Sequence, residues 1–162
     1  MKRAALIFDI IIIVLLFASC MAARESRTFQ KSMNGNWQLQ TIVSEGIAGK
    51  VNTQLFNEAD FNCFVGSTWN FNNENNMGNY SIANASQCPG VRRNIRWSIY
   101  EAKDQPKLLQ YKRLDDNLNE IDENSGGYRF TILQLNNQNL QLKSDMNVDG
   151  KPAAFIYNFV KI

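Results

Sequence analysis

The chain has 162 residues and a formal net charge of +2 at pH 7, and it contains no histidine. This length is enough for one domain. Because the basic residues form no stripe that alternates with aromatics, the usual surface for binding nucleic acid is absent. Without histidine, the commonest general base and the Ser–His pair of hydrolases are also missing. We therefore expect a protein that is not an enzyme and that holds no cofactor.

The first 19 residues have the features of a secretion signal. Lys2 and Arg3 give a positive start, and residues 10–17 form an unbroken apolar run, although Asp9 interrupts the apolar stretch before it. Such a run is too short to span a bilayer and is typical of a secretion signal. We therefore assign residues 1–19 to a signal peptide.

The signal ends in the sequence Leu-Phe-Ala-Ser-Cys at residues 16–20. This resembles the bacterial lipobox, in which small residues precede a cysteine that is lipidated and becomes the mature N-terminus. An ordinary secretion signal with an incidental cysteine is the alternative. Two or more acyl chains on Cys20 would give firm membrane attachment. Because residue 21 is Met21 and no acidic residue directly follows, the resemblance to Gram-negative lipoproteins implies an outer-membrane location that faces the periplasm.

The remaining cysteines, Cys63 and Cys88, form an even pair in an oxidising compartment once Cys20 is acylated. An even pair in such a compartment predicts a disulfide. Zinc is the rival use of cysteine, but two thiols in a chain without histidine do not make a four-ligand site. We therefore predict a disulfide and no metal site.

A tether and a single β domain are predicted after the signal. Residues 20–33 are mixed in composition and show no apolar period, which is typical of a tether between membrane and domain. In the first strand that follows, Trp37, Leu39 and Thr41 share one face because they are two residues apart. We assign residues 34–162 to the domain.

A short helix is predicted after the first strand. Residues 44–62 interrupt the β pattern, and within them Leu55, Phe56 and Ala59 lie at helical spacing. Thr53 can cap such a helix. We therefore predict a helix over residues 53–61.

Three strands are predicted within residues 63–99. Polar turn-formers at 72–76 and 85–90 separate three short runs, so the runs form an antiparallel meander. In each run the apolar and aromatic residues are two apart and share a face: Trp69 and Phe71, then Tyr80 and Ile82, then Ile95, Trp97 and Ile99.

Four further strands are predicted around residues 108–114, 128–132, 140–142 and 155–160. The acidic residues between 115 and 124 are interpreted as a solvated loop. Eight strands with mostly short connections and no recurring crossover favour an all-β fold, an eight-stranded antiparallel up-and-down barrel with one short helix after the first strand. Closure leaves no exposed edge, and we expect a monomer.

One motif in the later part admits two interpretations. Asp145, Asn147 and Asp149 precede Gly150 with the spacing that opens a calcium loop. The position that would carry the closing glutamate is Ile156. Since Asp-Gly is also a strong hairpin signal, a turn between two strands is favoured over a calcium site.

The sequence resembles the lipocalins in two places. Gly35-x-Trp37 at the start of the first strand is similar to their G-x-W motif, and residues 63–88 resemble lipocalin-like lipoproteins of Gram-negative bacteria. The resemblance implies that Gly35 and Trp37 close the bottom of the barrel and that the two cysteines of residues 63–88 pair. The T-D-Y turn motif is absent, and the late arginine over the tryptophan has only Lys161 as a substitute.

The predicted inward face is rich in aromatic rings and carries no acidic residue. An eight-stranded barrel is just wide enough to be filled by side chains or to hold one small ligand. Inward tyrosines favour a cavity, because buried hydroxyls need partners. We predict a lipid-anchored cell-envelope protein that binds a small apolar or amphipathic ligand; the alternative is a structural or assembly lipoprotein with a filled barrel that acts through its loops. The predicted ligand-binding residues are Trp69, Phe71, Tyr80, Trp97, Tyr111, Tyr128, Phe130 and Tyr157.

Overall fold

The structure, a computed structural model, describes residues 28–47, 53–122, 126–148 and 150–162. The signal peptide and the lipidation candidate Cys20 lie outside the described residues. Residues 28–33, at the end of the segment predicted as a tether, form helix α1. Residues Met33–Ile162 form one compact unit. No helix in the described ranges has the length and hydrophobicity needed to cross a membrane.

Eight strands form a closed antiparallel barrel, which confirms the predicted fold class. Consecutive barrel strands pair with each other, and the first closes the barrel by pairing with the second and the last. In the sequence, the segment between the first two barrel strands forms a separate two-stranded sheet. The barrel strands are β1 (Gly35–Glu45), β4 (Thr68–Asn72), β5 (Met77–Ile82), β6 (Val91–Tyr100), β7 (Leu108–Leu114), β8 (Tyr128–Leu135), β9 (Asn139–Val148) and β10 (Lys151–Lys161), and the small sheet consists of β2 (Gln54–Leu55) and β3 (Ala59–Asp60).

The helix after the first strand is present, but its predicted position is wrong. It is α2 (Phe61–Phe64), capped by the Asp60 carboxylate, which accepts a hydrogen bond from the backbone N–H of Asn62. The predicted helical segment is the hairpin of β2 and β3 instead. Phe56 and Asn57 have φ angles of 56° and 52°, the left-handed region that a right-handed helix excludes.

The alternation of buried and exposed side chains along β1 is shifted by one residue at one point. The pairing of β1 with β10 shifts between Leu39 and Thr41, which is the mark of a β-bulge. Trp37 and Leu39 are buried as predicted, whereas Thr41 is exposed. The prediction for Thr41 is wrong because the extra residue of a bulge moves every later side chain to the other face.

Trp37 lies in the core at one end of the barrel, where β1 pairs with both β4 and β10. This side chain is fully buried, and its indole N–H donates to the backbone oxygen of Met33 over 2.9 Å. The Lys161 ammonium lies 5.0 Å from the centre of the Trp37 ring, in the range of a cation–π contact. Gly35 has a φ of +119°, and a Cβ there would lie only 3.0 Å from Cε of Lys161, so glycine leaves room for that lysine.

The opposite end of the barrel carries the disulfide and the long connections. Cys63 and Cys88 are bonded, with their Cα atoms 5.4 Å apart, and the predicted disulfide is confirmed. The bond attaches α2 to the connection between β5 and β6. At the same end, Val148 pairs with Lys151, so β9 and β10 form the favoured hairpin. Asp149 lies outside the described residues, and the described residues contain no group of three or more Cys, Asp or Glu side chains placed to hold a metal ion.

Candidate functional site

The interior of the barrel is occupied by the chain itself. Residues 53–60, here called the Phe56 hairpin, comprise β2, β3 and the turn between them. This hairpin is not part of the barrel wall, yet Phe56 is only 9% exposed and belongs to the barrel core. A side chain from a connecting segment therefore fills space that the strands enclose.

Five of the eight predicted ligand-binding residues surround the Phe56 ring, and we call these five the Phe56 cage. They come from four strands, since β4, β5 and β7 each supply one and β8 supplies two. Phe64 of α2 also contacts Phe56, with ring centres 5.1 Å apart. The distances between the ring centre of Phe56 and those of the cage are 6.3 Å for Trp69, 6.5 Å for Tyr80, 5.8 Å for Tyr111, 4.9 Å for Tyr128 and 6.0 Å for Phe130.

The other three predicted residues are buried but do not contact Phe56 ring to ring. Phe71 and Trp97 pack edge to face with ring centres 5.4 Å apart, and the indole N–H of Trp97 donates to the backbone oxygen of Met77. Tyr157 packs against Phe130, and its hydroxyl lies 3.3 Å from the Ser144 hydroxyl. Burial raises the pKa of Tyr157 to about 12.

The side chain of Tyr111 places an unpartnered hydroxyl group in this aromatic interior. The Tyr111 side chain is 2% exposed, and its hydroxyl has no hydrogen-bond partner among the described residues. Burial raises the pKa of Tyr111 well above its ordinary value, so the hydroxyl stays protonated and free to donate. An unpartnered buried hydroxyl is costly, and a ligand with an acceptor atom would satisfy it.

The Phe56 hairpin also carries a buried carboxylate, that of Glu58. The side chain of Glu58 is 5% exposed and accepts a hydrogen bond from the Tyr80 hydroxyl. Arg93 Nε lies 2.5 Å from Glu58 Oε1, and Arg113 Nη1 lies 3.3 Å from the same oxygen. Burial and the bond to Glu58 raise the pKa of Tyr80 well above its ordinary value, which keeps the hydroxyl a donor.

Arg113 joins this carboxylate to a second one, and we call Glu58, Arg93, Arg113 and Asp122 the mouth cluster. Arg113 donates to Asp122 Oδ1 from Nε over 2.7 Å and from Nη2 over 2.5 Å, and its backbone N–H donates to Oδ2 over 3.0 Å. Its Nη1 also donates to the backbone oxygen of Phe56. The cluster therefore holds the hairpin by its backbone and by Glu58.

The charges of Arg113 and Asp122 stabilise each other. Burial alone would lower the pKa of Arg113, but its hydrogen bonds and charge contacts with Asp122 outweigh burial and raise it. Burial alone would raise the pKa of Asp122, but the hydrogen bonds and charge of Arg113 hold it below its usual range. Two arginines thus balance two carboxylates in the cluster.

A cleft of about 580 Å³ opens beside the mouth cluster. It is lined by Asn57 of the Phe56 hairpin, by Arg113 and Asp122 of the cluster, and by Ile121 and Tyr128. Both Arg113 and the cage residue Tyr128 can therefore be approached from outside the barrel.

The sequence pattern did not identify Phe56, Glu58 or the rest of the mouth cluster as site residues. A signal for the arginines was available, because Arg113 continues the inward face of β7 two residues after Tyr111, and Arg93 precedes Ile95 by two. Nothing in the alternation marks Glu58, since it lies in a turn of the hairpin and not on a strand.

Two expectations about acidic residues are corrected by this cluster. The interior does contain an acidic side chain, because the Phe56 hairpin carries Glu58 into it. The 115–124 segment is not only a solvated loop, since Asp122 has a side-chain exposure of 10% and is bonded to Arg113. Asp115 behaves as a local turn-former, accepting from the backbone N–H groups of Asn117 and Asn119.

The family of the chain follows from comparison with known sequences. The model of a family described as a lipocalin-like domain matches residues 33–142. The match covers more than half of the chain, and the chain belongs to the lipocalin-like domain family, as the sequence resemblance predicted. Lipocalin-like barrels are typical of binding proteins rather than enzymes.

Solved structures that match the chain include those of an odorant-binding protein. The bovine protein in complex with a selenium-containing odorant is 15% identical, with a TM-score of 0.41, over 82% of this chain and 72% of that chain. The same bovine protein complexed with its natural ligand is 16% identical, with a TM-score of 0.41, over 81% of this chain and 72% of that chain. No curated protein matches the sequence.

Proposed function

We propose that this protein binds a small apolar or amphipathic molecule inside its barrel and that the ligand takes the place of the Phe56 ring. The observation that carries the proposal is the position of Phe56. Its ring comes from a connecting hairpin and sits among five aromatic side chains of the barrel wall. Withdrawal of the hairpin would leave the wall complete and would open the Phe56 cage.

The exchange of buried apolar surface is energetically balanced. Burying a phenylalanine side chain contributes about 1.5–3 kcal/mol, whereas each buried methylene of a ligand contributes about 0.8 kcal/mol. A ligand that buries roughly four methylenes in the cage therefore offsets the loss of Phe56. The Cys63–Cys88 disulfide retains the end of α2 next to the hairpin, so the hairpin can leave the cage without separating from the barrel rim.

The proposal includes a lipid anchor on Cys20 and a location on the periplasmic side of the outer membrane. Its support is the lipobox-like sequence at residues 16–20 and the even pair of bonded cysteines that remains. Disulfides persist in oxidising compartments, among them the bacterial periplasm. The protein would then bind its ligand at the membrane surface as a monomer and without catalysis.

Native mass spectrometry of the protein purified from cell envelopes tests the binding function. We expect a mass above that of the acylated chain, which returns to the chain mass after extraction with an organic solvent. A protein that carries no extractable molecule and also binds no 1-octanol in a calorimetric titration would contradict the proposal.

A second candidate is a structural or assembly lipoprotein that acts through its loops. The observation that favours it is the filled interior, since the Phe56 ring and its cage leave the barrel packed as the chain stands. In that case the Phe56 hairpin would be a permanent part of the core. The two functions differ in one measurable respect: only the first requires that an apolar molecule compete with Phe56.

A further inference from the structure

One turn of the Phe56 hairpin places an apolar ring and a carboxylate inside the barrel together. The Phe56 ring fills the Phe56 cage, and two residues later Glu58 contacts Tyr80, Arg93 and Arg113. The segment from Phe56 to Glu58 therefore has the chemical form of an amphipathic anion, with an apolar group at one end and a carboxylate at the other.

Resting on the proposed function, we infer that the ligand is an amphipathic carboxylate. Its apolar part takes the place of Phe56, and its carboxylate takes the place of Glu58 on Arg93, Arg113 and Tyr80. The hairpin is then an internal substitute for the ligand, which occupies both halves of the site until the ligand displaces it.

The donor geometry at Glu58 suits a carboxylate in particular. Arg93 Nε and Arg113 Nη1 lie 2.5 and 3.3 Å from one carboxylate oxygen, and the Tyr80 hydroxyl donates to the other. These donors come from strands β5, β6 and β7 of the barrel wall. They remain in place when the hairpin moves, and charge-assisted hydrogen bonds of this kind are the strong ones.

The charge balance of the mouth cluster also requires one negative charge. While the hairpin is inserted, Glu58 and Asp122 balance Arg93 and Arg113. Withdrawal of Glu58 leaves Asp122 with its three contacts to Arg113 and leaves Arg93, whose side chain is 28% exposed, without its carboxylate partner. A half-buried charge without a partner is unfavourable. A ligand with a single carboxylate restores the balance, whereas a neutral ligand does not.

Calorimetric titration of the full chain with octanoate, 1-octanol and octyl phosphate tests this inference. The three share an alkyl chain close in size to the Phe56 side chain, and they differ in the headgroup. We expect octanoate to bind about ten- to a hundred-fold more tightly than 1-octanol, the ratio that one charge-assisted hydrogen bond supplies. The indole N–H resonance of Trp69 should shift with octanoate, because Trp69 belongs to the Phe56 cage.

Two variants and a matched control locate the effect. Arg93→Met should abolish most of the preference for octanoate, and Glu58→Gln should tighten octanoate binding because it removes the competing carboxylate. Arg96→Met is the control, since Arg96 lies on the same strand with a side-chain exposure of 53% and pairs with Glu120 outside the site. It should leave both affinities unchanged, and circular dichroism should show all three variants folded.

The outcomes separate this inference from the proposed function. Equal affinities for octanoate and 1-octanol, or an Arg93→Met variant that keeps the preference, would overturn the carboxylate inference and leave ligand binding intact. Octyl phosphate binding more tightly than octanoate would assign the headgroup to phosphate and likewise overturn it. No binding of any of the three would overturn both proposals.

Discussion

Trp37 is buried on β1, the strand that pairs with both the second and the last strand of the barrel. Its ring is fully buried, its indole N–H is bonded to Met33, and Lys161 of the last strand lies over its face. It pairs with Trp69 on one side and with Lys161 on the other, so it lies where the first strand joins both the second and the last. The side chain therefore supports the junction at which the sheet closes.

Replacing Trp37 should destabilise the fold severely. Trp37→Ala should reduce the free energy of unfolding by about 3–5 kcal/mol, the usual cost of deleting a buried large aromatic side chain. Urea denaturation measures this loss. Lys161→Met is the comparison that removes the cation–π contact, whose contribution is about 0.5–1 kcal/mol. An unchanged unfolding midpoint for Trp37→Ala, or a Trp37 that is accessible to a fluorescence quencher, would show that this account of closure is wrong.

Asp122 makes the stability of the mouth cluster depend on pH. Its pKa in the folded state lies below its ordinary value, so its contribution is complete above the unfolded pKa and is lost as the pH falls through the folded pKa. Asp122→Ala should cost about 3 kcal/mol at pH 7, the lower end of the range for breaking a buried ion pair. The difference from the unmodified protein should shrink steadily as the pH is lowered.

Urea denaturation at a series of pH values checks this dependence. Asp116→Ala is the matched control, because Asp116 is exposed in the same loop and its removal should change the free energy of unfolding by no more than about 0.5 kcal/mol. A loss for Asp122→Ala that stays constant from neutral to acidic pH would contradict the role given to its charge.

At the scale of elements, the strands were predictable and the Phe56 hairpin was not. The strands that carry Trp69, Tyr80 and Tyr111 could be predicted because apolar and polar residues alternate along them. The same alternation places these three side chains in one interior. The spacing of Leu55, Phe56 and Ala59 suits a helix and a tight hairpin equally well, and only the left-handed turn distinguishes them. That turn is stabilised by contacts of Phe56 and Glu58 with side chains on distant strands. Such contacts cannot be predicted from the local sequence.

The disulfide attaches α2, which directly follows the Phe56 hairpin, to the connection between β5 and β6. Replacing both Cys63 and Cys88 by serine should reduce the free energy of unfolding by about 3.5 kcal/mol, because the bond closes a loop with a sequence separation of 25 residues and restricts the unfolded chain. Denaturation of the double variant and of the oxidised parent measures the loss. The parent in a strong reductant should match the double variant; a parent whose stability does not respond to reductant would contradict this.

At the scale of the whole molecule, the anchor and the barrel are expected to act independently. Cys20→Ala should release the protein from membranes without unfolding it, because residues 33–162 form a compact unit that contains the described core residues of the barrel. Fractionation of cells and the thermal melting of the soluble variant check the two halves of this expectation. A Cys20→Ala protein that remains in the membrane fraction would contradict the lipid anchor.

The barrel architecture could be predicted from the sequence more fully than the residues inside the barrel. Eight alternating runs with short turns admit few arrangements, and barrel closure is the one that leaves no edge. The contents of the barrel depend on which side chains enter from outside the strands. Glu58 and Asp122 lie in connections, and their placement follows from the two arginines that project from β6 and β7.

Calorimetric titration with 1-octanol tests most directly whether a ligand competes with Phe56 for the inside of the barrel, as we propose. Phe56→Ala should bind 1-octanol at least about ten-fold more tightly than the unmodified protein. In the unmodified protein only the small fraction of molecules with an empty Phe56 cage can bind, whereas in the variant the cage is always empty. Phe61→Ala, which removes a half-buried ring of α2 that stacks on Phe155, should bind no more tightly than the unmodified protein. Equal affinities of the unmodified and Phe56→Ala proteins, or an unmodified protein that binds neither 1-octanol nor octanoate, would contradict this competition.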